Sequence, residues 1–287
     1  MKKLLAGMLA AVMVLGLCAC GNSEAKADEA VAETTEATET AAEVKTDDSS
    51  ARTFVVGFDA EFPPYGYMDE NGEYTGFDLE LAQEVCNRKG WELVKQPIDW
   101  DAKDMELSSG AIDCIWNGFT MNGREDKYEW SIPYVDNSQV YVVKADSGIS
   151  TEADLAGKVV GVQADSSALA ALQDEEGKAS VAKTFAELVQ FADYNTGFMN
   201  LESGAIDCLA LDIGVANYEI SSRDGNFVVL DEQLASEQYA IGFLKGNTEL
   251  RNEVENVLLE MVNDGKFMEI AEKYADFGLT DSVCIGK

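Results

Sequence analysis

The side chains best suited to chemistry stand just beyond two nearly identical octapeptides. Residues 107–114 read LSSGAIDC and residues 201–208 read LESGAIDC, 94 positions apart. The first copy runs into Asn117, Gly118 and Thr120, then Arg124; the second runs into Leu211 and Asp212. A guanidinium is a rigid fork of donors matched to a carboxylate. An aspartate is the natural acceptor for an ammonium. Ser166 and Ser167 add two hydroxyls at the start of a helical stretch, where free N–H groups also attract an anion. Structural readings stand beside these. Either serine can be a plain N-cap, Asp212 can cap the helix that follows it, and Arg124 can pair with Glu125 or Asp126 at the surface.

Composition removes several other chemistries. The chain has no histidine, so it can form no Ser-His or Cys-His nucleophile pair and no imidazole zinc site. Cys86, Cys114, Cys208 and Cys284 show no CxxC spacing, so neither a metal nor a cofactor is expected. Cys114 and Cys208 end the two octapeptides inside apolar strands and read as buried core residues. A Cys86–Cys284 bridge stays open. The net charge is −32; the first 20 residues contribute +2 and residues 21–50 contribute −7, leaving −27 on the rest. So acidic a body repels phosphate backbones, which excludes nucleic acid as a partner.

The elements that must position these groups alternate. Residues 53–58, 91–96 and 111–116 read as strands, with helices over 78–89 and 101–109. The pattern restarts with a strand near 158–163, helices over 166–175 and 196–203, a strand over 205–211 and a helix over 212–221. Strand–helix alternation means α/β lobes with largely parallel sheets. Each octapeptide is then a helix end, a glycine turn and a core strand. Ligands of open α/β sheets sit beyond the carboxyl ends of the strands. Two such ends facing one another would enclose a cleft.

The start of the chain lies outside this body. Lys2 and Lys3 precede an apolar run over 4–17, the pattern of a secretion signal. Leu17-Cys18-Ala19-Cys20 resembles a bacterial lipobox, with Cys20 as the lipidated residue; an ordinary cleaved signal is the alternative. Residues 21–50 carry nine acids, two lysines and no aromatic residue, the composition of a disordered acidic linker. The expectation is an exported protein held to the outer face of the cell membrane by a lipid alone.

Three segments carry a family resemblance: VVGFDAEFPPYGYMDENGEYTGFDLELAQEV, AIDCIWNGFTMNGREDKYEWSIPY and GKVVGVQADSSALAAL. Together they resemble the extracellular solute-binding proteins of family 3, the substrate-binding subunits of amino-acid ABC transporters. The resemblance implies a two-lobed α/β fold, the periplasmic-binding-protein fold of the second type, with two hinge crossings. These are expected at 139–145 and 238–244. Lobe one would be 51–141 plus 242–287, and lobe two 142–241. It implies that Gly118, Thr120 and Arg124 grip the α-carboxylate of a free amino acid, with Asn117 also among the ligand-binding residues and Ser166 and Ser167 as a second clamp. Asp212 would meet the ammonium. Asp59, Phe62 and Trp100 would meet the side chain, with Trp116 either beside them or in the core. An acid among aromatic rings suits a polar or basic side chain. The sequence departs from the family twice. Three residues rather than four separate Thr120 from Arg124, and Asp165 stands where glycine is frequent. The implied partners are a permease and an ATPase, and a monomer without enzymatic activity is expected. The alternatives are an exported dehydratase of the cyclohexadienyl dehydratase type on the same fold, and a ligand-sensing ectodomain.

Overall fold

The computed structural model describes residues 51–223 and 226–287. The signal, the linker and Cys20 lie outside the described residues. Two sheets organise the chain. In the first, Glu92–Pro97, Thr53–Phe58 and Cys114–Ile115 are parallel neighbours, extended by antiparallel Gly242–Phe243 and Glu129–Trp130. In the second, Glu187–Phe191, Val159–Gln163 and Cys208–Asp212 are parallel, and the ten-residue strand Val135–Lys144 runs against them. Phe227–Val229 and Ala235–Tyr239 pair with the far side of that long strand. The second sheet is thus more mixed than the expected parallel one.

The expected hinge segment 139–145 needs correcting. Nearly all of it, through Lys144, lies inside the second sheet, so the chain passes between sheets earlier, over 131–134. Pro133 sits in that passage, where it has no N–H to offer a ladder. The return falls between Tyr239 and Gly242, inside the expected 238–244. Helices Thr248–Asp264 and Lys266–Glu272 then pack beside helix Phe77–Lys89, with Phe267 edge-on to Phe77 at 5.7 Å.

The repeated octapeptides do the same job twice. Gly110 and Gly204 close their helices in the left-handed conformation, each at φ 78°. Such a φ favours glycine. The next strand is then pinned by an aspartate. Asp113 accepts the Val55 N–H at 2.7 Å, and Asp207 accepts the Val159 N–H at 2.9 Å. Ile112 and Ile206 pack onto glycines of the neighbouring strands. A Cβ on Gly57 would stand 2.4 Å from Ile112, and one on Gly161 would stand 2.6 Å from Ile206. Cys114 and Cys208 are buried, and all four described cysteines are free, so Cys86 and Cys284 are not bridged. Among the described residues no helix is long and apolar enough to cross a membrane.

Candidate functional site

The carboxyl ends of the two sheets meet around a small cavity with an empty volume of about 230 Å³. It is lined by Phe62, Trp100, Gly118, Thr120 and Arg124 from the first half, and by Gln163, Ser166, Ser167 and Asp212 from the second. Eight of the ten residues singled out in the sequence therefore line one cavity. Asp59 and Asn117 stand behind it. The Asn117 side-chain oxygen accepts the Asp59 N–H at 2.9 Å and so fixes the loop after the first strand. Trp116 is fully buried and belongs to the core.

Arg124 reaches the cavity through a tight turn. Its N–H donates to the Met121 carbonyl at 2.9 Å, and Gly123 takes φ 75°. That glycine absorbs the short spacing after Thr120. The guanidinium lies 5.3 Å over the Phe119 ring and donates to the Thr120 and Asp165 carbonyls at 3.1 and 3.2 Å. Thr120 is held by loop geometry reaching back to helix Phe77–Lys89. The buried Asp78 carboxylate accepts the Gly118 N–H at 2.6 Å and the Tyr134 hydroxyl at 2.9 Å. Burial pushes the Asp78 carboxyl up to about 7.

The serines divide their work. Ser166 is the N-cap of helix Ser167–Gln173, accepting the Leu169 N–H at 3.1 Å and donating to the Gln163 carbonyl at 2.8 Å. Ser167 turns its hydroxyl to Thr120 at 3.3 Å and to Gln139 at 2.9 Å. Asp212 precedes helix Ile213–Ser222 but makes no capping bond. Its carboxylate instead accepts Asn137 Nδ2 at 2.9 Å, Gln139 Nε2 at 2.6 Å and the Tyr239 hydroxyl. Glu237 lies in the same network and accepts from Thr120 at 2.7 Å and from Asn137 and Gln139, both at 2.8 Å. Burial, then the nearby Glu237 charge, hold the Asp212 carboxyl well above the usual carboxylate range. Asp59, only 6% exposed, is raised to about 6 by burial.

Gln163, Asn137, Gln139, Glu237 and Tyr239 are the residues missed in the sequence. A signal was there. Asn137 and Gln139 alternate along one strand, and Glu237 and Tyr239 alternate along its partner, with Glu237 opposite Asn137. Polar residues at a period of two in a buried strand put hydrogen-bonding groups on one face. Gln163 was visible by symmetry. It occupies the place in the second half that Asp59 occupies in the first, and the two bond across the cleft at 2.7 Å.

Chemically the cavity is lined by one guanidinium, the hydroxyls of Thr120, Ser166 and Ser167, and the buried Asp212 carboxylate, with aromatic rings at Phe62 and Trp100. Among the described residues no group of three metal-ligating side chains occurs. A two-lobed α/β body with a small polar cavity between its sheets is a small-ligand-binding protein. The chain belongs to the bacterial extracellular solute-binding proteins, family 3, which match residues 54–277. The L-cystine-binding protein TcyJ of Escherichia coli (strain K12) is 29% identical over 77% of this chain and 82% of its own. The arginine-binding extracellular protein ArtP of Bacillus subtilis (strain 168) is 27% identical over 96% of this chain and 98% of its own. The structure of a substrate-binding protein of an ABC uptake transporter from Streptococcus pneumoniae, with bound histidine, superposes with a TM-score of 0.73. It is 35% identical and covers 77% of this chain and 92% of its own.

Proposed function

We propose that this protein captures a free L-amino acid with a polar or basic side chain, in the cleft between two lobes, for an ABC importer. The observation that carries the reading is the single cavity lined by both Arg124 and Asp212. The guanidinium would take the α-carboxylate, joined by Thr120, Ser166 and Ser167, with Asn117 and Gly118 shaping the loop. Asp212, backed by Glu237, would take the ammonium. Asp59, Phe62 and Trp100 would face the side chain. Charge favours a cationic ligand. Asp59, Asp212 and Glu237 outnumber Arg124, and a buried charge is tolerated only when paired.

The lobes would be 51–130 plus 242–287 and 135–239, joined by the passages at 131–134 and 240–241. The chain would be exported and lipid-anchored at Cys20, work as a monomer, and pair with a permease and an ATPase. No cofactor or catalytic step is assigned to it, and the dehydratase reading stands second because the similar proteins named above bind amino acids. Relatives that bind cystine, arginine and histidine support the ligand class.

The test is calorimetry of the body, residues 51–287, against the common amino acids and cystine, with Arg124→Ala in parallel. The parent should bind at least one free amino acid and should bind its carboxamide poorly. Arg124→Ala should lose about 2–5 kcal/mol of binding, since truncation leaves the ligand carboxylate unpaired. Equal binding by the variant would overturn the carboxylate assignment.

A further inference from the structure

Lys103 is a buried ammonium that the ligand site does not use. It opens helix Lys103–Ser109, directly after the turn that carries Trp100. Its side chain is 1% exposed, its Nζ donates to the Trp100 carbonyl at 3.1 Å, and it lies 4.9 Å over the Trp100 ring. Its ion-pair partner among the described residues is Asp165, which belongs to the other half of the cleft. The Asp165 carbonyl also accepts from Arg124 at 3.2 Å. Two cations of the first half thus hold one residue of the second.

Asp165 itself is set in an uncommon conformation. It is the one described non-glycine residue with positive φ, at 52°. Side chains are disfavoured there, and aspartate is among the few that tolerate it. A glycine would fit that turn without strain. Aspartate supplies a carboxylate just before Ser166 and Ser167, aimed at Lys103.

We infer that Lys103 and Asp165 form a cross-cleft latch that contributes to amino-acid affinity without touching the amino acid. This rests on the ligand-binding reading above. The two residues hang from different sheets, so parting the sheets parts the pair. A contact made only in the closed form adds its free energy to closure, and therefore to the affinity of any ligand that closure traps. Lys103 and Asp165 are positioning residues. The lysine sets the Trp100 wall, and the aspartate sets the turn that carries the serine clamp. Closure also removes the ammonium from water, and burial pushes the Lys103 pKa down even beside its partner. A buried cation deprived of its carboxylate is penalised, so the pair acts as a unit.

The experiment is a double-mutant cycle on the body with Asp165→Asn, Lys103→Met and the pair. The probe is whichever of the common amino acids or cystine the parent binds most tightly. Asp165→Asn should weaken binding roughly 10-fold, chiefly through faster dissociation, because the buried Lys103 ammonium loses its charge partner. The double variant should lose no more than Asp165→Asn alone. Raising salt should erode the parent's affinity more than the double variant's. Asp165 is more than half exposed, so Asp165→Asn remains folded and decides the matter if Lys103→Met does not. Asp165→Asn with unchanged affinity and dissociation rate, or strictly additive losses in the cycle, overturns the latch. A parent that binds none of the probes overturns the ligand reading and the latch with it, whereas a binding parent matched by its variants overturns the latch alone.

Discussion

Asp212→Asn should move binding and stability in opposite directions. The side chain is 3% exposed and lies in a network that contains a second buried carboxylate, Glu237. Asparagine is isosteric. Its oxygen can still accept from Asn137, Gln139 and Tyr239, while its amide turns to the Tyr194 hydroxyl, now 3.4 Å from Asp212 Oδ2. The fold keeps its hydrogen bonds and loses one of two adjacent buried charges. Relief of that repulsion and of the desolvation of an ionised carboxylate is on the order of 1–2 kcal/mol at pH 7.5. For a body of this size each kcal/mol is worth about 2–4 °C, so the ligand-free melting temperature should rise by roughly 2–8 °C. A ligand ammonium, by contrast, loses its charged acceptor, a change of about 2–5 kcal/mol at buried pairs. That converts to a loss of affinity of roughly 30-fold or more. Scanning calorimetry and titration calorimetry on one preparation read both numbers. Undiminished affinity would refute the ammonium seat. A lowered melting temperature would refute the like-charge argument and make Asp212 a purely structural acceptor.

Three further outcomes follow from the same geometry, and a fourth from the sequence. Asp59 and Asp212 both titrate above the usual carboxylate range, so affinity for a basic amino acid should hold near pH 8 and fall as pH drops through about 6, read by calorimetry across pH. The ligand-free fold should respond the other way. Native Asp59 and Asp78 keep protons that the unfolded chain has lost, so their contribution to stability should grow as pH falls from about 7 toward 4, checked by denaturant melts. Asp78→Ala would strand the Gly118 N–H and the Tyr134 hydroxyl, and should lower stability by about 2–4 kcal/mol and weaken ligand binding. Cys20→Ala should release the exported protein from membranes into the medium or periplasm, and mass spectrometry that finds an unmodified mature N-terminus elsewhere would refute the anchor.

What was legible in the sequence, and what was not, divides along a physical line. The octapeptides, the glycine helix ends and the apolar strand cores are local patterns, and each appears where its residues pointed. The resemblance pointed to Arg124 after the polar strand end, and the structure sets it on the cavity lining. The first hinge passage was misread because Val140, Tyr141, Val142 and Val143 form an apolar run that says strand but not which sheet. Partnership across the sheet decides that, and it is non-local. Asn137, Gln139 and Glu237 escaped for the same reason. Each is an ordinary polar residue until register sets Glu237 opposite Asn137 and gathers all three into one network with Asp212. Lys103 reads as a helix-start lysine, and only the facing turn makes it a buried cation.

On the proposed reading, the repeat explains how the site would tell one end of a ligand from the other. Scaffold positions agree between the copies: Gly57 with Gly161, Gly110 with Gly204, Asp113 with Asp207, Cys114 with Cys208. Site positions do not. Asp59 answers to Gln163, Asn117 to Leu211, and Gly118 to Asp212. Two identical halves would enclose a symmetric cavity, with the same charge at both ends, and an amino acid has unlike ends. Packing enforces the difference. Gly118 sits at φ 54°, and a Cβ there would stand 2.8 Å from the Phe62 ring and 3.1 Å from Tyr239. The first copy therefore cannot carry an acid where the second carries Asp212. With that place closed to any side chain, the first half meets the cavity with Thr120 and Arg124. On the proposed reading the carboxylate end and the ammonium end of the site fall to different halves, and a ligand that satisfied both would hold the halves together.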